Sequence, residues 1–300
     1  MNVIECRGLS KRFGRTVALH DLSFSIKENT ITGLVGPNGA GKTTLLKIAA
    51  GFLRKTAGEI KVFSSPPFNN LKVSANTFFV DDNMALPATL NLSETLDAAR
   101  RFYPNWDHRL ALRLFDYFSL NPRQLHKNLS KGMKSTFNMI VGLSARCALT
   151  IFDEPTVGMD AAVRKDFYRA LLQDYLQHPR TIIFSSHLLK EIEDILEEVL
   201  LLREGQKRLH LPADQLREYA VGLRGEEDTV KRFTAGKEIY RREQFGKNSI
   251  FAAVRNSFTK TELQEACAAG LEVLPVSAED LCIYLTSRSR GGIDDVFNRN

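Results

Sequence analysis

The 300-residue sequence lacks any long run of apolar residues. A helix that spans a bilayer needs about 20 consecutive, mostly apolar residues. The segment Met1 to Cys6 also lacks the basic residues and the apolar stretch that begin a secretion signal. We therefore expect a protein of the cytoplasm whose contact with a membrane, if it makes one, runs through another protein.

Cysteine is scarce, and charge of one sign is not strongly in excess. The four cysteines have no metal-ligand spacing and are expected to be buried thiols: Cys6, Cys147, Cys267 and Cys282. The 41 basic and 35 acidic residues give a net charge of +6. This mild excess suits nucleotide phosphates or an anionic membrane surface and does not require nucleic acid as a partner.

A glycine-rich segment is the clearest motif that the sequence does contain. It lies between a predicted strand, Ile31 to Val35, and a helix predicted from Thr44 to Ala50. Backbone N–H groups in such a loop and the dipole of the following helix bind phosphate groups. Lys42 is expected to reach the β- and γ-phosphates of a triphosphate, and the Thr43 hydroxyl to hold Mg²⁺. The predicted nucleotide-binding residues are Gly36, Pro37, Asn38, Gly39, Ala40, Gly41, Lys42, Thr43 and Thr44.

Two carboxylates follow a second buried strand, Leu149 to Asp153. Adjacent residues of a strand point to opposite faces, so Asp153 and Glu154 should have different roles. We expect Asp153 to bind the metal and Glu154 to polarise the attacking water. An acidic pair at the end of a strand can also be a solvated loop, but the apolar strand before it favours the site interpretation.

The alternation of strands and helices, which includes a helix predicted from Leu188 to Ile195, predicts a mostly parallel sheet with helices on both faces. We expect this α/β domain to cover residues 1–210, with a helical part at about 84–146. Near its start we expect two short strands, Val3 to Cys6 and Leu22 to Ile26, on either side of a turn at Lys11 to Gly14 with Phe13 at its centre. Beyond Gly205 the strands and helices become short, which predicts a small α+β domain over residues 211–286. The polar segment 287–300 is predicted to be a mobile tail.

Five motifs occur in the order and spacing of the ATP-binding subunits of ABC transporters, and the sequence resembles that family from about Val3 to Gly205. More narrowly, it resembles bacterial exporter ATPases of the bacitracin-resistance type. The resemblance implies a P-loop NTPase fold with an antiparallel N-terminal β subdomain and a helical insert. It also implies ATP and Mg²⁺ as ligands, and ATP hydrolysis coupled to transport. The motifs are Gly36 to Thr44, Leu129 to Met133, Asp153 to Thr156, Val157 to Asp160, and Ser186-His187.

The resemblance implies a role for several further residues. Phe13 would stack on the adenine ring. His187 would contact the γ-phosphate and the attacking water, and Asp160 would lie where two ATPase domains meet. The start of the helix that follows Leu129 would contact the γ-phosphate bound by the opposite subunit. The residues at this helix start are Ser130, Lys131, Gly132 and Met133. Two copies would thus close head to tail around ATP.

The implied partners are integral-membrane permease subunits and a second ATPase subunit, and nucleic acid is not expected. The chain would then lie on the inner face of the cell membrane. Because Lys42, Glu154 and His187 are all present, we favour a homodimer over a heterodimer with an inactive half. One alternative is a soluble ABC ATPase acting on nucleic acid or the ribosome, although the chain has one ATPase domain and no sustained heptads. Another is a regulatory module that binds ATP without hydrolysing it, which Glu154 and His187 argue against.

The sequence departs from the family pattern at two places. The family usually has a Gln before the helical insert, whereas no Gln occurs here between Thr44 and Gln124. Asp82 is the expected replacement and a candidate Mg²⁺ ligand, while the alternative is that Asp81 and Asp82 both face solvent. Lys131 stands where Gly is commoner, and it faces either the opposite phosphates or water.

Two surfaces have open interpretations. The aromatic residues of the helical insert are expected to form mostly its own core, with a few lining a groove for a permease helix; they include Phe102, Tyr103, Trp106 and Tyr117. The basic residues of the last domain are a solvated face or a contact for lipid or nucleic acid: Arg241, Arg242, Lys247 and Arg255. We expect this domain to make a dimer contact or a regulatory contact.

Overall fold

The computed structural model describes residues 1–84, 86–245 and 248–287, and the chain divides into two compact units between His210 and Leu211. The strands of the first unit, the last of which runs past its boundary, are β1 (Asn2–Phe13), β2 (Thr16–Lys27), β3 (Ile31–Val35), β4 (Ala57–Val62), β5 (Thr77–Val80), β6 (Leu149–Asp153), β7 (Thr181–Ser186), β8 (Glu198–Arg203) and β9 (Gln206–Pro212). Its helices are α1 (Lys42–Ala49), α2 (Leu71–Asn76), α3 (Leu92–Phe102), α4 (His108–Tyr117), α5 (Lys131–Ser144) and α6 (Ala161–Gln177).

The main sheet runs in the order β5-β6-β7-β3-β8-β9, and its neighbouring strands from β5 to β8 are parallel. Val35 pairs with Ser186, and Val80 pairs with Phe152. The carboxyl ends of β3, β5, β6 and β7 therefore lie along one edge. Ligands of such α/β sheets bind at this edge.

Helices cover both faces of the main sheet, as predicted. On one face, Leu149 and Ile151 of β6 belong to the same apolar core as Leu45 and Leu46 of α1. On the other face, the ring of Phe152 packs against helix α6, with a centroid distance of 6.3 Å to Phe167. Alternate residues of β6 thus serve opposite faces, as the pleat of a strand requires.

A smaller antiparallel sheet, in the order β2-β1-β4, precedes and follows the phosphate loop in sequence. The sequence predicted short strands around a turn at residues 11–14. The strands are longer, because buried Leu9, Leu19 and Leu22 continue the apolar face, and the turn is only Gly14-Arg15. Phe13 is consequently the last residue of a strand, not the centre of a turn.

The helical insert forms as predicted, but its aromatic residues are not mainly its core. Asn91 and Glu94 form a reciprocal capping box at the start of α3, and the Asp107 side chain caps α4. Tyr103 is half-buried with its ring 5.1 Å from that of Phe78, and Trp106 is also half-buried. Phe102 and Tyr117 are exposed, so these two are not part of the core, and the interpretation as groove residues stays a prediction for them.

The sequence analysis was wrong about residues 188–195 and missed two short elements. These residues form two 3₁₀ turns, Leu189–Glu191 and Glu193–Ile195, where a helix was predicted. Ile192 interrupts them with a φ of −122°, which is outside the helical range. Helix α2, capped by the Asn70 side chain, and strand β9 were not predicted.

The second unit contains α7 (Ala213–Glu218), β10 (Ala220–Glu226), α8 (Glu227–Phe233), β11 (Ile239–Phe245), β12 (Ser249–Arg255), α9 (Lys260–Ala268), β13 (Glu272–Pro275) and α10 (Ala278–Thr286). From β10 to β13 the order is β-α-β-β-α-β, and the sheet is antiparallel throughout in the order β11-β12-β10-β13, which is the split βαβ arrangement. One sheet face packs on α8 and α9 through Val230 and Ala266. This unit is α+β, in agreement with the predicted fold class.

The predicted basic face of this unit is partly neutralised. Arg241 pairs with Glu243 at 2.8 Å, and the Arg255 guanidinium lies 3.6 Å from the Tyr219 ring centroid. Lys247 and all but the first residue of the predicted tail lie outside the described residues.

Candidate nucleotide site

The phosphate loop requires glycine at defined positions. Gly41 has a φ of +101°, and a Cβ there would come within 2.7 Å of the Ala18 carbonyl oxygen. Gly36 is equally constrained, since a Cβ would come within 2.3 Å of the Leu202 carbonyl oxygen. Only glycine allows both the left-handed backbone and this close approach. The loop then leads into α1 at Lys42.

Lys42 joins the loop to the acidic end of β6. Its side chain is buried, and its Nζ donates to the Gly36 carbonyl oxygen at 2.6 Å. The same Nζ lies 3.4 Å from Oε1 of Glu154. The predicted phosphate-binding cation and the predicted base are therefore neighbours, although more than 100 residues separate them.

Glu154 and His187 are held together at the ends of neighbouring strands. His187 Nδ1 lies 2.9 Å from Glu154 Oε2. The backbone of Glu154 has a φ of +48°, and its N–H donates to Ser185 Oγ at 2.9 Å. Such a backbone conformation is uncommon outside glycine and occurs often at functional sites. Glu154 Oε1 is buried and has no hydrogen-bond partner among the described residues.

Asp153 is almost fully buried at the end of β6, with 5% of its surface exposed. Its Oδ1 accepts a hydrogen bond from Ser185 Oγ at 2.5 Å. Burial raises the pKa of Asp153, hydrogen bonds from Ser185 and Thr43 oppose the rise, and the charges of Glu154 and Asp81 add to it. The two predicted metal-binding side chains, Thr43 and Asp153, are thus brought together.

The predicted metal ligand Asp82 is not the carboxylate nearest this group. Asp82 is exposed, and its Oδ1 accepts from the Asn83 side chain at 2.7 Å. Asp81 is 14% exposed, lies 3.4 Å from Nζ of Lys47 and acts electrostatically on Asp153. The structure therefore replaces Asp82 by Asp81 as the candidate, because Asp81 directly follows Val80, the β5 partner of Phe152.

A cleft of about 350 Å³ connects the phosphate loop with Phe13. Phe13 is 46% exposed, and the Lys11 ammonium lies 4.7 Å from its ring centroid. A second cleft of about 390 Å³ lies along α6 and contains none of the predicted site residues. The first cleft is lined by Phe13, Thr16, Val17, Ala18, Asn38, Gly39, Ala40, Gly41, Lys42, Thr43, Thr44 and Glu154.

The Ser130 segment lies at the start of α5, outside this cleft. Ser130 Oγ caps the helix by accepting from the Met133 N–H at 3.3 Å, and Lys131 is exposed. Gly132 packs so closely on the preceding loop that a Cβ would lie 2.3 Å from the Gly158 carbonyl oxygen. Of the residues that the structure describes, none from 130 to 133 lines the cleft of the same chain. Asp160, two residues beyond Gly158, is exposed.

Sequence reasoning missed Asp81, Lys47 and Ser185. A signal for Ser185 was present, since it is a polar residue at the end of an otherwise apolar strand. Lys47 lies on α1 five residues beyond Lys42, but only the three-dimensional packing of α1 on β5 and β6 brings it to Asp81.

Several known proteins are similar to this chain in sequence. The family model for the ABC transporter matches residues 19–157. The ABC transporter ATP-binding protein YtrB of Bacillus subtilis is 28% identical, over 76% of this chain and 78% of that protein. The ribose import ATP-binding protein RbsA of Pseudomonas putida is 34% identical, over 68% of this chain but only 42% of that protein. The bacitracin transport ATP-binding protein BcrA of Bacillus licheniformis is 28% identical, over 72% and 71% of the two chains.

A solved dimeric bacterial ABC transporter cassette, MJ0796, has the same fold, with a TM-score of 0.62 and 18% identity over 70% of this chain and 98% of that chain. The chain therefore contains an ABC transporter ATP-binding domain, which belongs to a family of ATPases coupled to transport. The predicted family, fold class and ATPase activity are confirmed. In the described part of the chain, no helix has the length and apolar character needed to cross a membrane.

Proposed function

We propose that this chain powers a separate membrane permease by closing head to tail with a second ATPase subunit around ATP, and that the transporter is an exporter. The observation that carries the proposal is the contact of Glu154 with both Lys42 and His187, since Glu154 and Lys42 line the same cleft as Phe13. A phosphate-binding cation, a base and a histidine thus converge where a triphosphate fits.

The proposed chemistry is attack of water on the γ-phosphate. Glu154 Oε1, which has no hydrogen-bond partner in the described chain, accepts the proton of the water. His187 fixes the carboxylate through Oε2, at 2.9 Å. Lys42 stabilises the negative charge on the phosphate oxygens, and the glycine-rich loop orients them. Phe13 offers a ring face to the adenine.

The oxygen atoms of Asp153 and Thr43 suit a Mg²⁺ ion that binds together with the nucleotide. No cluster of three or more His, Cys, Asp or Glu side chains that could hold a metal exists among the residues described. Mg²⁺ is commonly bound by one or two protein oxygens plus substrate phosphates and water. Asp153 and Thr43 would hold it here, since the buried Asp153 carboxylate and the Thr43 hydroxyl already interact. When bound, the ion neutralises charge on the phosphates.

Dimer closure is proposed because one chain leaves its cleft incomplete. The start of α5, which the Ser130 side chain caps, lies outside the cleft of the same chain. Helix N-termini bind phosphate, so Ser130 and Gly132 can serve a cleft on a second copy. Asp160 is exposed, as a residue between two subunits should be before they meet. The dimeric MJ0796 cassette supports this arrangement.

The proposals of a permease partner and of export are based on the names of similar proteins. The SkfA peptide export ATP-binding protein SkfE of Bacillus subtilis is named for export and matches over 93% of its length, whereas RbsA is named for ribose import and matches over less than half of its length. We therefore favour export. The exposed Phe102 and Tyr117 of the helical insert are candidates for the permease contact. Because this contact lies on the inner face of the membrane, the chain should copurify with a membrane protein after mild detergent extraction.

The test is Glu154→Gln. This variant should bind ATP with near wild-type affinity, lose turnover by more than about a hundredfold, and elute as a dimer with ATP but not with ADP. Glu59→Gln, at an exposed ion pair outside the site, is the control and should behave as the wild type. A Glu154→Gln protein that still hydrolyses ATP normally, or stays monomeric with ATP and every candidate companion subunit, would refute the proposal.

A further inference from the structure

Asp81 is a carboxylate that lies directly after strand β5, with 14% of its side chain exposed. It follows β5, whose residues Phe79 and Val80 pair with Ile151 and Phe152 of β6. The register therefore places Asp81 beside Asp153, on the face that α1 covers. Neighbouring strands are about 5 Å apart, so the two carboxylates share one environment.

Lys47 supplies the counter-charge from α1. Its Nζ lies 3.4 Å from Oδ2 of Asp81, and both side chains are less than one-third exposed. Lys47 and Lys42 are thus two cations of one helix that pair with two carboxylates at the same sheet edge. The charge of Asp81 also reaches Asp153, where it helps to raise the pKa of that carboxyl.

The charges at this edge explain why Lys47 is needed. Asp81, Asp153 and Glu154 carry three negative charges, and Lys42 and Lys47 carry two positive ones. Without Lys47 the excess of negative charge doubles from one to two. A triphosphate adds further negative charge, so an uncompensated Asp81 would repel it.

We propose that Lys47 and Asp81 form a charge-compensated pair that sets the divalent-cation dependence of ATP binding. Asp81 offers an additional oxygen ligand on the metal side of the nucleotide. Lys47 cancels its charge toward the phosphates when no cation is bound. The inference rests on the proposed nucleotide site and goes beyond it, since it assigns a task to two residues outside the motifs.

The experiment measures the Kd of a fluorescent ATP analogue, once in EDTA and once in excess Mg²⁺. Lys47→Met should weaken binding in EDTA about tenfold, because it leaves Asp81 uncompensated. Asp81→Asn should leave binding in EDTA unchanged or tighter, and should reduce the gain from Mg²⁺ about tenfold. The double variant should bind in EDTA as the wild type does.

Asp82→Asn is the matched control, because its carboxylate is one residue away and exposed. Circular dichroism and a melting curve check the fold, and Lys47→Arg keeps the charge if Lys47→Met is unstable. Equal Mg²⁺ dependence in Asp81→Asn and wild type, or strictly additive single effects, would overturn the inference and leave a simple surface ion pair. Wild-type protein that binds no nucleotide would instead overturn the proposed function itself.

Discussion

Asp174 of α6 forms ion pairs with the half-buried Arg146 and the buried Arg180, and we predict that Asp174→Asn destabilises the first unit by about 3 to 5 kcal/mol. Its side chain is 4% exposed, with Arg146 Nη2 at 2.5 Å and Arg180 Nη1 at 2.9 Å. The substitution keeps the shape of the side chain and removes its charge. It therefore tests the electrostatic contact and creates no cavity.

The size of the loss in stability depends on the partners that each arginine keeps in Asp174→Asn. Arg146 keeps Asp107, at 2.9 Å. Arg180, which is 5% exposed, keeps the carbonyl oxygens of His178 and Leu143. Burial lowers the pKa of Arg180, and Asp174 opposes this effect. Among the described residues no other carboxylate pairs with Arg180, so its charge would be buried and uncompensated, which is the costly case.

The assay is urea and thermal unfolding. For a domain of this size, 1 kcal/mol shifts Tm by about 2 to 4 °C, so a fall of roughly 6 to 20 °C is expected. Lys61→Met breaks an exposed pair with Glu59 and should cost at most about 1 kcal/mol. Asp174→Asn combined with Arg180→Gln should recover most of the loss. A single variant within about 1 kcal/mol of wild type, or a double variant with additive losses, would refute this account.

Three further predictions concern the site and its surroundings. Gly132→Ala must push α5 away from the Gly158 carbonyl, so ATP turnover should fall about a hundredfold while ATP affinity in calorimetry stays unchanged. Phe13→Ala should weaken ATP binding by roughly 1 kcal/mol in the same calorimetric assay, and unchanged affinity would remove Phe13 from the site. Burial lowers the pKa of His126, and its hydrogen bond with Asn138 opposes this effect. The unfolded chain therefore binds the proton more readily than the folded chain, and folding stability should begin to fall as the pH drops below about 6.5. Urea titrations of His126→Gln should show a weaker fall over this range.

The parts of the site that depend on consecutive residues could be predicted from the sequence. The phosphate loop is such a part, since its glycines, Lys42 and Thr43 follow one another between a strand and a helix. The residues that complete it come from distant strands. The bond from Ser185 to Asp153 and the ion pair of Lys42 with Glu154 depend on the order of strands in the sheet, which no local pattern specifies.

The apolar periodicity gave a wrong prediction of secondary structure for residues 188–195. Leu189, Ile192 and Leu196 recur at helical spacing and are all buried, so a helix was predicted. The segment buries the same side chains with two 3₁₀ turns, because the Ser186 hydroxyl bonds both the N–H and the carbonyl of Leu188 and shapes the chain before the first turn. The apolar side chains are thus buried as predicted, although the segment does not form an α-helix.

The choice between Asp81 and Asp82 shows how one residue of register decides chemistry. Both follow β5, and neither composition nor spacing separates them. Phe79 pairs with Ile151, so Asp81, two residues further on, lies on the same face of the sheet as Asp153 and α1. Asp82 follows on the opposite face. Because successive strand residues alternate between faces, only Asp81 can meet Lys47 on the α1 side. The position of the carboxylate relative to the phosphates, and with it the Mg²⁺ dependence proposed above, therefore follows from strand pairing that the sequence alone does not reveal.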